Sequence, residues 1–196
     1  MKRNFSGLTL KDVMLLLQQQ NFMPWQITAP PRPPSDYLQE TFSRLRVFDL
    51  TNSEAAKLLL IDALFVEIVP NHPPLKIWKA ALLESDTLVG VADYLIAPKR
   101  AYMATPLLCV TEAKRDDFEQ GRVQCVAEMH ACQWNNRQEG ATTDVFGIVS
   151  NGQGWQFYRL ALAGEIYETG LYTVDFLPDL LGALDYVCAE CARFVS

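Results

Sequence analysis

Apolar residues recur at two different spacings along this 196-residue chain, and the change of spacing marks out its elements. Leu58, Ile61, Leu64, Phe65 and Ile68 fall three and four apart, the period of a helix with one buried face. Thr51 and Glu54 precede them at capping-box spacing, which predicts a helix start there. Pro70, Pro73 and Pro74 end it. Beyond the prolines the pattern becomes strand-like. Residues 75–83 read as a first strand, 84–87 as a polar turn, 88–97 as a second strand carrying Asp93, and 107–114 as a third, largely buried strand. Asp116 and Asp117 open a long helix predicted to run to about Trp134, since early acidic residues suit the positive end of a helix dipole. Phe118, Cys125, Val126, Met129 and Cys132 give that helix an apolar stripe. Residues 145–149 read as a fourth strand, Asn151-Gly152 as a tight turn and 155–162 as the returning strand. Residues 166–173 read as a further strand, and 179–194 as a closing helix.

The first fifty residues are patterned more weakly. Residues 8–20 fit a short amphipathic helix, 29–35 a proline-rich extended connector, and 37–48 either a helix or an irregular wrap. The expected division is therefore 1–50 as an N-terminal helix and proline-rich extension, packed on or tethered to a domain spanning 51–196. Within that domain the order is helix, three strands, helix, strands and a closing helix. Such an order predicts an α/β (α+β) domain around a mixed sheet flanked by helices, not a regular strand–helix alternation. Neither a G-x-G-x-x-G nor a P-loop sequence is present.

Composition narrows the function classes. At 49% hydrophobic residues, the chain can build one substantial core. The formal net charge of −6 argues against a surface that grips nucleic acid all over, though not against a local basic patch or a basic partner. No stretch approaches the ~18 apolar residues of a membrane span, so no membrane association is expected and a cytoplasmic location is the default. Five scattered cysteines fit reduced thiols. Cys188 and Cys191 form a C-x-x-C, but no second pair stands at zinc-site spacing, and burial in a helix face is the expected role.

Candidate chemistry centres on Glu112-Ala113-Lys114. On a strand, Glu112 and Lys114 point to one face and Ala113 to the other. Asp93 lies between Ala92 and Tyr94 in an apolar strand, where a carboxylate needs an ion-pair partner or a metal. Together they would offer two carboxylates and an ammonium. Carboxylate oxygens suit Mg²⁺, and the ammonium could sit beside an activated water or a phosphate. An E-x-K tripeptide also arises by chance, and a surface ion pair at a strand end is its ordinary alternative.

The segments Val91-Ala-Asp93-Tyr94-Leu95 and Val110-Thr-Glu112-Ala-Lys114-Arg115 carry a resemblance. With Gly121-Arg-Val-Gln124-Cys-Val-Ala-Glu-Met129 and the run Gly147 to Tyr158, they look similar to the PD-(D/E)xK nuclease superfamily. The likeness is to the nuclease domains of type I restriction motor subunits and covers roughly residues 51–162. It implies a restriction-endonuclease-like fold and a nuclease, a hydrolase of phosphodiester bonds dependent on Mg²⁺ or Mn²⁺. By position, Asp93, Glu112 and the Ala113 carbonyl would be metal ligands, Lys114 would orient water or stabilise the phosphate, and Gln124 would support the site. Glu54 would be a further ligand, unless it only closes the capping box; Glu67 is a more distant acid. No proline precedes Asp93 directly. Lys99, Arg100, Lys114, Arg115 and Arg122 are expected to form a basic rim for DNA, ahead of RNA. The resemblance allows a homodimer. The alternative is a catalytically silent module of the same fold that assembles with a partner protein. His130, Trp134, Trp155, Phe157 and Tyr158 are read as packing residues before functional ones.

Overall fold

The computed structural model describes residues 2–50, 54–113 and 118–195. In chain order the elements are β1 (Arg3–Asn4), α1 (Leu10–Leu17), β2 (Met23–Pro24), α2 (Asp36–Leu45) and α3 (Glu54–Ile68). There follow β3 (Leu75–Glu84), β4 (Leu88–Pro98), β5 (Cys109–Ala113) and α4 (Phe118–Gln138). The chain closes with β6 (Val145–Ser150), β7 (Gly154–Leu160), β8 (Ile166–Glu168), β9 (Tyr172–Thr173) and α5 (Leu177–Arg193). Among the described residues these strands form one nine-stranded mixed sheet, in the order β1-β4-β5-β6-β7-β8-β2, with β3 also on β4 and β9 also on β7. The β3–β4, β4–β5 and β6–β7 pairs are antiparallel, and β5–β6 is parallel. The protein is thus an α/β domain with helices on both faces of a mixed sheet.

Each face has its own core. On one, α4 and α1 cover Leu95, Val110, Val149 and Tyr158. On the other, α2, α3 and α5 cover Tyr94, Ile96, Ile148 and Phe157. Helix α4 is 21 residues long and begins with Glu119 and ends with Arg137, charges that oppose its dipole at both ends. It lies close against β6 because residue 147 is glycine. A Cβ there would stand 2.4 Å from Met129 Sδ and 2.6 Å from Cys125 Sγ. The helix runs four residues past the predicted end at Trp134, because Gln133 and Asn136 are buried and bonded. Asn136 clamps the backbone of Leu107, accepting from its N–H at 2.6 Å and donating to its carbonyl at 2.8 Å. Polar side chains of this kind hide a helix from a period read on apolar residues alone.

The N-terminal residues are woven into the sheet. β1 pairs with β4 and β2 with β8, both parallel, and two-residue strands leave no alternating pattern to read. Phe5 is fully buried in the α4-side core. Residues 37–48, open between helix and wrap in sequence, form α2, capped by Ser35, whose Oγ accepts from Leu38 N–H at 3.2 Å. Glu67 of α3 in turn accepts from Ser35 N–H and Oγ at 2.9 and 2.7 Å, so it ties the proline-rich connector to the domain. Arg32 does the same at the other end, through a 2.6 Å ion pair with Asp185. The extended run at 166–173 is two short strands, not one, because β8 and β9 pair with different stretches of β7. Asn151-Gly152 does turn the β6–β7 hairpin, with Gly152 at φ +85°.

The strand pair β3–β4 turns over midway. Leu75 and Ile77 contribute to the α3-side core, whereas Ala81 and Leu83 belong to the α4-side core. On β4, Ala92 faces α4 and Tyr94 faces α3, although both are even positions. The switch falls where Ala80 stands opposite Asp93, between the pairs Lys79–Tyr94 and Ala81–Ala92. Ala80 has φ +49°, a left-handed conformation that costs roughly 1–2 kcal/mol for a residue with a Cβ. We therefore expect Ala80→Val to destabilise the protein by more than about 1 kcal/mol, although valine is the better strand former. Ala80→Gly should be neutral or stabilising by up to ~1 kcal/mol. Urea denaturation measures both, and a stabilising valine would show that no such turnover exists.

Candidate metal centre

β4 and β5 are paired as far as Tyr94–Thr111, and then the ladder stops. The next positions in register are Asp93 and Glu112, so these two carboxylates stand across from one another where the strands part. Asp93 lies at the turnover of β4 and reaches sideways to β5. Its Oδ2 accepts from the Ala113 N–H at 2.8 Å and replaces the lost ladder bond. The Ala113 side chain is buried in the opposite core, as strand alternation requires. Glu112 is 2% exposed.

A third carboxylate meets this strand end from above. Glu128, between Ala127 and Met129 on the sheet-facing side of α4, is 0% exposed. Its Oε1 accepts from Gln124 Nε2, one helical turn back, at 3.2 Å. Its Oε2 is buried and meets no donor among the described residues. What stands within hydrogen-bonding reach of Glu128 is the carboxyl of Glu112, with the Asp93 charge also felt there. Burial, and then the charge of Glu112, push the Glu128 carboxyl well above the usual carboxylate range, while the Gln124 bond pulls it back.

The structure therefore gathers Asp93, Glu112, Ala113 and Gln124 at one place. Glu54 opens α3, but its side chain lies outside the described residues, as do Thr51 and Lys114. Among the described residues, no group of three or more Asp, Glu, His or Cys side chains is arranged to hold a metal ion, so the closest pairing is that of Glu112 with Glu128. Glu128 was not singled out in the sequence, because a lone glutamate within an apolar helix stripe has the look of a solvated position. Its four-residue spacing from Gln124 is the signal that was available.

Of the expected basic rim, Lys114 and Arg115 lie outside the described residues, and Lys99, Arg100 and Arg122 are placed as follows. Lys99 and Arg100 follow the far end of β4, about 20 Å from Asp93 at ~3.3 Å per residue, and on the side away from Glu112. The Lys99 N–H donates to the Pro74 carbonyl at 2.7 Å, and the Arg100 carbonyl accepts from Lys76 Nζ at 3.2 Å. Arg122 is engaged with Glu168 at 3.5 Å and lies 5.1 Å over the Phe22 ring. His130 lines a separate dent with Leu16, Gln133 and Arg137. Trp155, Phe157 and Tyr158 are core residues, as expected. All five cysteines are free and buried, with burial holding the Cys188 thiol up at about 12. A cleft of about 690 Å³ is on the α3 face, bounded by Phe65, Val69, Leu75, Ile77 and Tyr94. It contains none of the three carboxylates.

Comparison with protein-family models yields no match, and comparison with curated proteins yields none.

Glu128 gives stability a definite pH dependence. Its carboxyl holds a proton more tightly in the folded protein than in the unfolded chain, where it titrates near ~4.3. The folded state thus binds more protons, and this contribution to stability is present below pH ~4.3 and is lost as pH rises towards the folded value. Urea unfolding in the presence of a chelator, from about pH 5 to pH 8, should show a falling contribution that Glu128→Gln removes. Identical pH slopes in the two proteins would refute it.

Proposed function

We propose that the protein is a metal-dependent phosphodiester hydrolase acting on nucleic acid, with a restriction-endonuclease-like fold. The observation that carries this reading is the placement of Asp93 directly across from Glu112 at the parting ends of β4 and β5. The element order around them, α3-β3-β4-β5-α4-β6, agrees with the order the resemblance implies. The donor chemistry fits a hard divalent cation: carboxylate oxygens in a dry setting, one of them on Glu128 lacking a donor among the described residues. Asp93, Glu112 and the Ala113 carbonyl would hold Mg²⁺ or Mn²⁺, which when bound lowers the pKa of water and draws charge from the phosphate. Gln124 fixes the helix side of the site through Glu128. Lys114 is assigned the orientation of the attacking water or the stabilisation of the charged phosphate.

One observation favours the alternative, an assembly module that works with a partner protein. Glu112 and Glu128 are almost wholly enclosed, and Lys99 and Arg100, two of the cations expected to guide a polyanion, lie far from them. For either role, no helix among the described residues is long and apolar enough to cross a membrane.

A cleavage assay decides between them. The protein is incubated with single- and double-stranded DNA and RNA in Mg²⁺ or Mn²⁺, with and without chelator. We expect metal-dependent cutting, with DNA ahead of RNA. Asp93→Ala and Lys114→Ala should each reduce it by about a hundredfold or more, the scale for loss of a group that stabilises developing charge. Cutting that survives both substitutions would refute this site. No cutting, combined with no metal binding by the native protein, would leave the assembly role.

A further inference from the structure

We infer that Glu128 is itself a ligand of the cation, paired with Glu112 across the gap between α4 and β5, a role that the E-x-K pattern does not assign. This rests on the reading of the centre as a metal site. Three observations carry it. First, Glu128 Oε2 is fully buried and meets no donor among the described residues. Second, the group within reach of it is the Glu112 carboxyl, and an ionised carboxylate only accepts hydrogen bonds. Two acceptors set against one another in a dry core attract only when a proton or a cation stands between them. Third, the arrangement is built, not incidental. Gln124 Nε2 holds Oε1 at 3.2 Å, and the other oxygen is buried without a donor among the described residues. Gly147 lets Cys125 and Met129, which bracket Glu128 on the helix, press to the sheet, so this stretch of α4 lies close on the strands.

Asp93 has a different task in this arrangement. One of its oxygens is committed to the Ala113 N–H. It fixes the end of β5, and with it the direction of Glu112. A cation at the centre therefore draws on the Glu112–Glu128 pair together with whatever Asp93 adds from the side. Adding the Glu128 carboxylate to that of Glu112 raises the negative charge around the ion, which strengthens binding of a divalent cation and has less effect on a monovalent one.

The test is calorimetric titration of Mn²⁺ and Mg²⁺ into the full chain, supported by the electron-spin resonance of bound Mn²⁺. Glu128→Gln keeps the shape and the contact with Gln124 but removes the charge. We expect at least a tenfold loss of Mn²⁺ affinity and a smaller rise in melting temperature on metal addition, with circular dichroism unchanged. Glu128→Asp keeps the charge but withdraws it by one methylene, and should weaken binding at least several-fold; it carries the test if the glutamine variant does not fold. Native Mn²⁺ affinity in a folded Glu128 variant would overturn the inference while the metal-site reading stands. No Mn²⁺ or Mg²⁺ binding by the native protein would overturn both.

Discussion

The Glu112 and Glu128 carboxyls meet inside a hydrophobic layer, and the surrounding architecture has to hold them there. Charge in a dry interior is unfavourable by several kcal/mol per ion unless it is compensated. At Glu128 the surroundings make matters worse, since its carboxyl faces another acceptor. A core that retains both, on two elements from different parts of the chain, is one in which a positive species, proton or cation, belongs between them. Glu128 Oε2 records that need most directly, because the other oxygen of the same group is bonded.

The scaffold around the pair is correspondingly firm. β5 is buried along its whole described length and is held between β4 and β6. Asn136 pins the chain just before it, at Leu107, and Asp93 pins its far end, at Ala113. The turnover of β3 and β4 at Ala80 and Asp93 is what frees Asp93 to do this. A regular strand would send that side chain into one of the two cores, where it would need a partner perpendicular to the sheet. A left-handed residue on the neighbouring strand is strain placed beside the centre, and it is retained because the sideways reach of Asp93 depends on it.

Long elements with a dense apolar period were legible in the sequence: α3, β3, β4, the described part of β5, β6, β7 and α5 fall within a few residues of where periodicity puts them. The misses have physical causes. β1 and β2 are too short to alternate and exist only because longer strands offer them an edge. The split of residues 166–173 depends on which part of β7 each piece meets, a tertiary fact. At the centre, Asp93 and Glu112 were legible because each stands in an apolar strand where a charge is conspicuous. Glu128 was not, since an acidic residue in a helix is ordinary until the facing surface is known. Lys99 and Arg100 do not reach the centre for a related reason: they are near Asp93 in sequence, but an extended chain carries six residues a long way.

The acidic character of the chain then takes on a local meaning. A net charge of −6 is poorly suited to holding a polyanion, and no cluster of free cations near Asp93 offsets it among the described residues. Divalent ions at the strand end would change that balance where it matters. They would convert the most negative point of the interior into one that attracts phosphate, and would do so without a basic surface elsewhere. On this view the enclosure of Glu112 and Glu128 serves selectivity, since a dry, oxygen-lined setting strengthens electrostatics for an ion that can shed water. If the centre does bind phosphate, the Asp93 side offers an approach, since Asp93 is the one of the three carboxylates with more than slight exposure. In sequence, Lys114, the residue assigned to the phosphate, follows directly on the strand that carries Glu112.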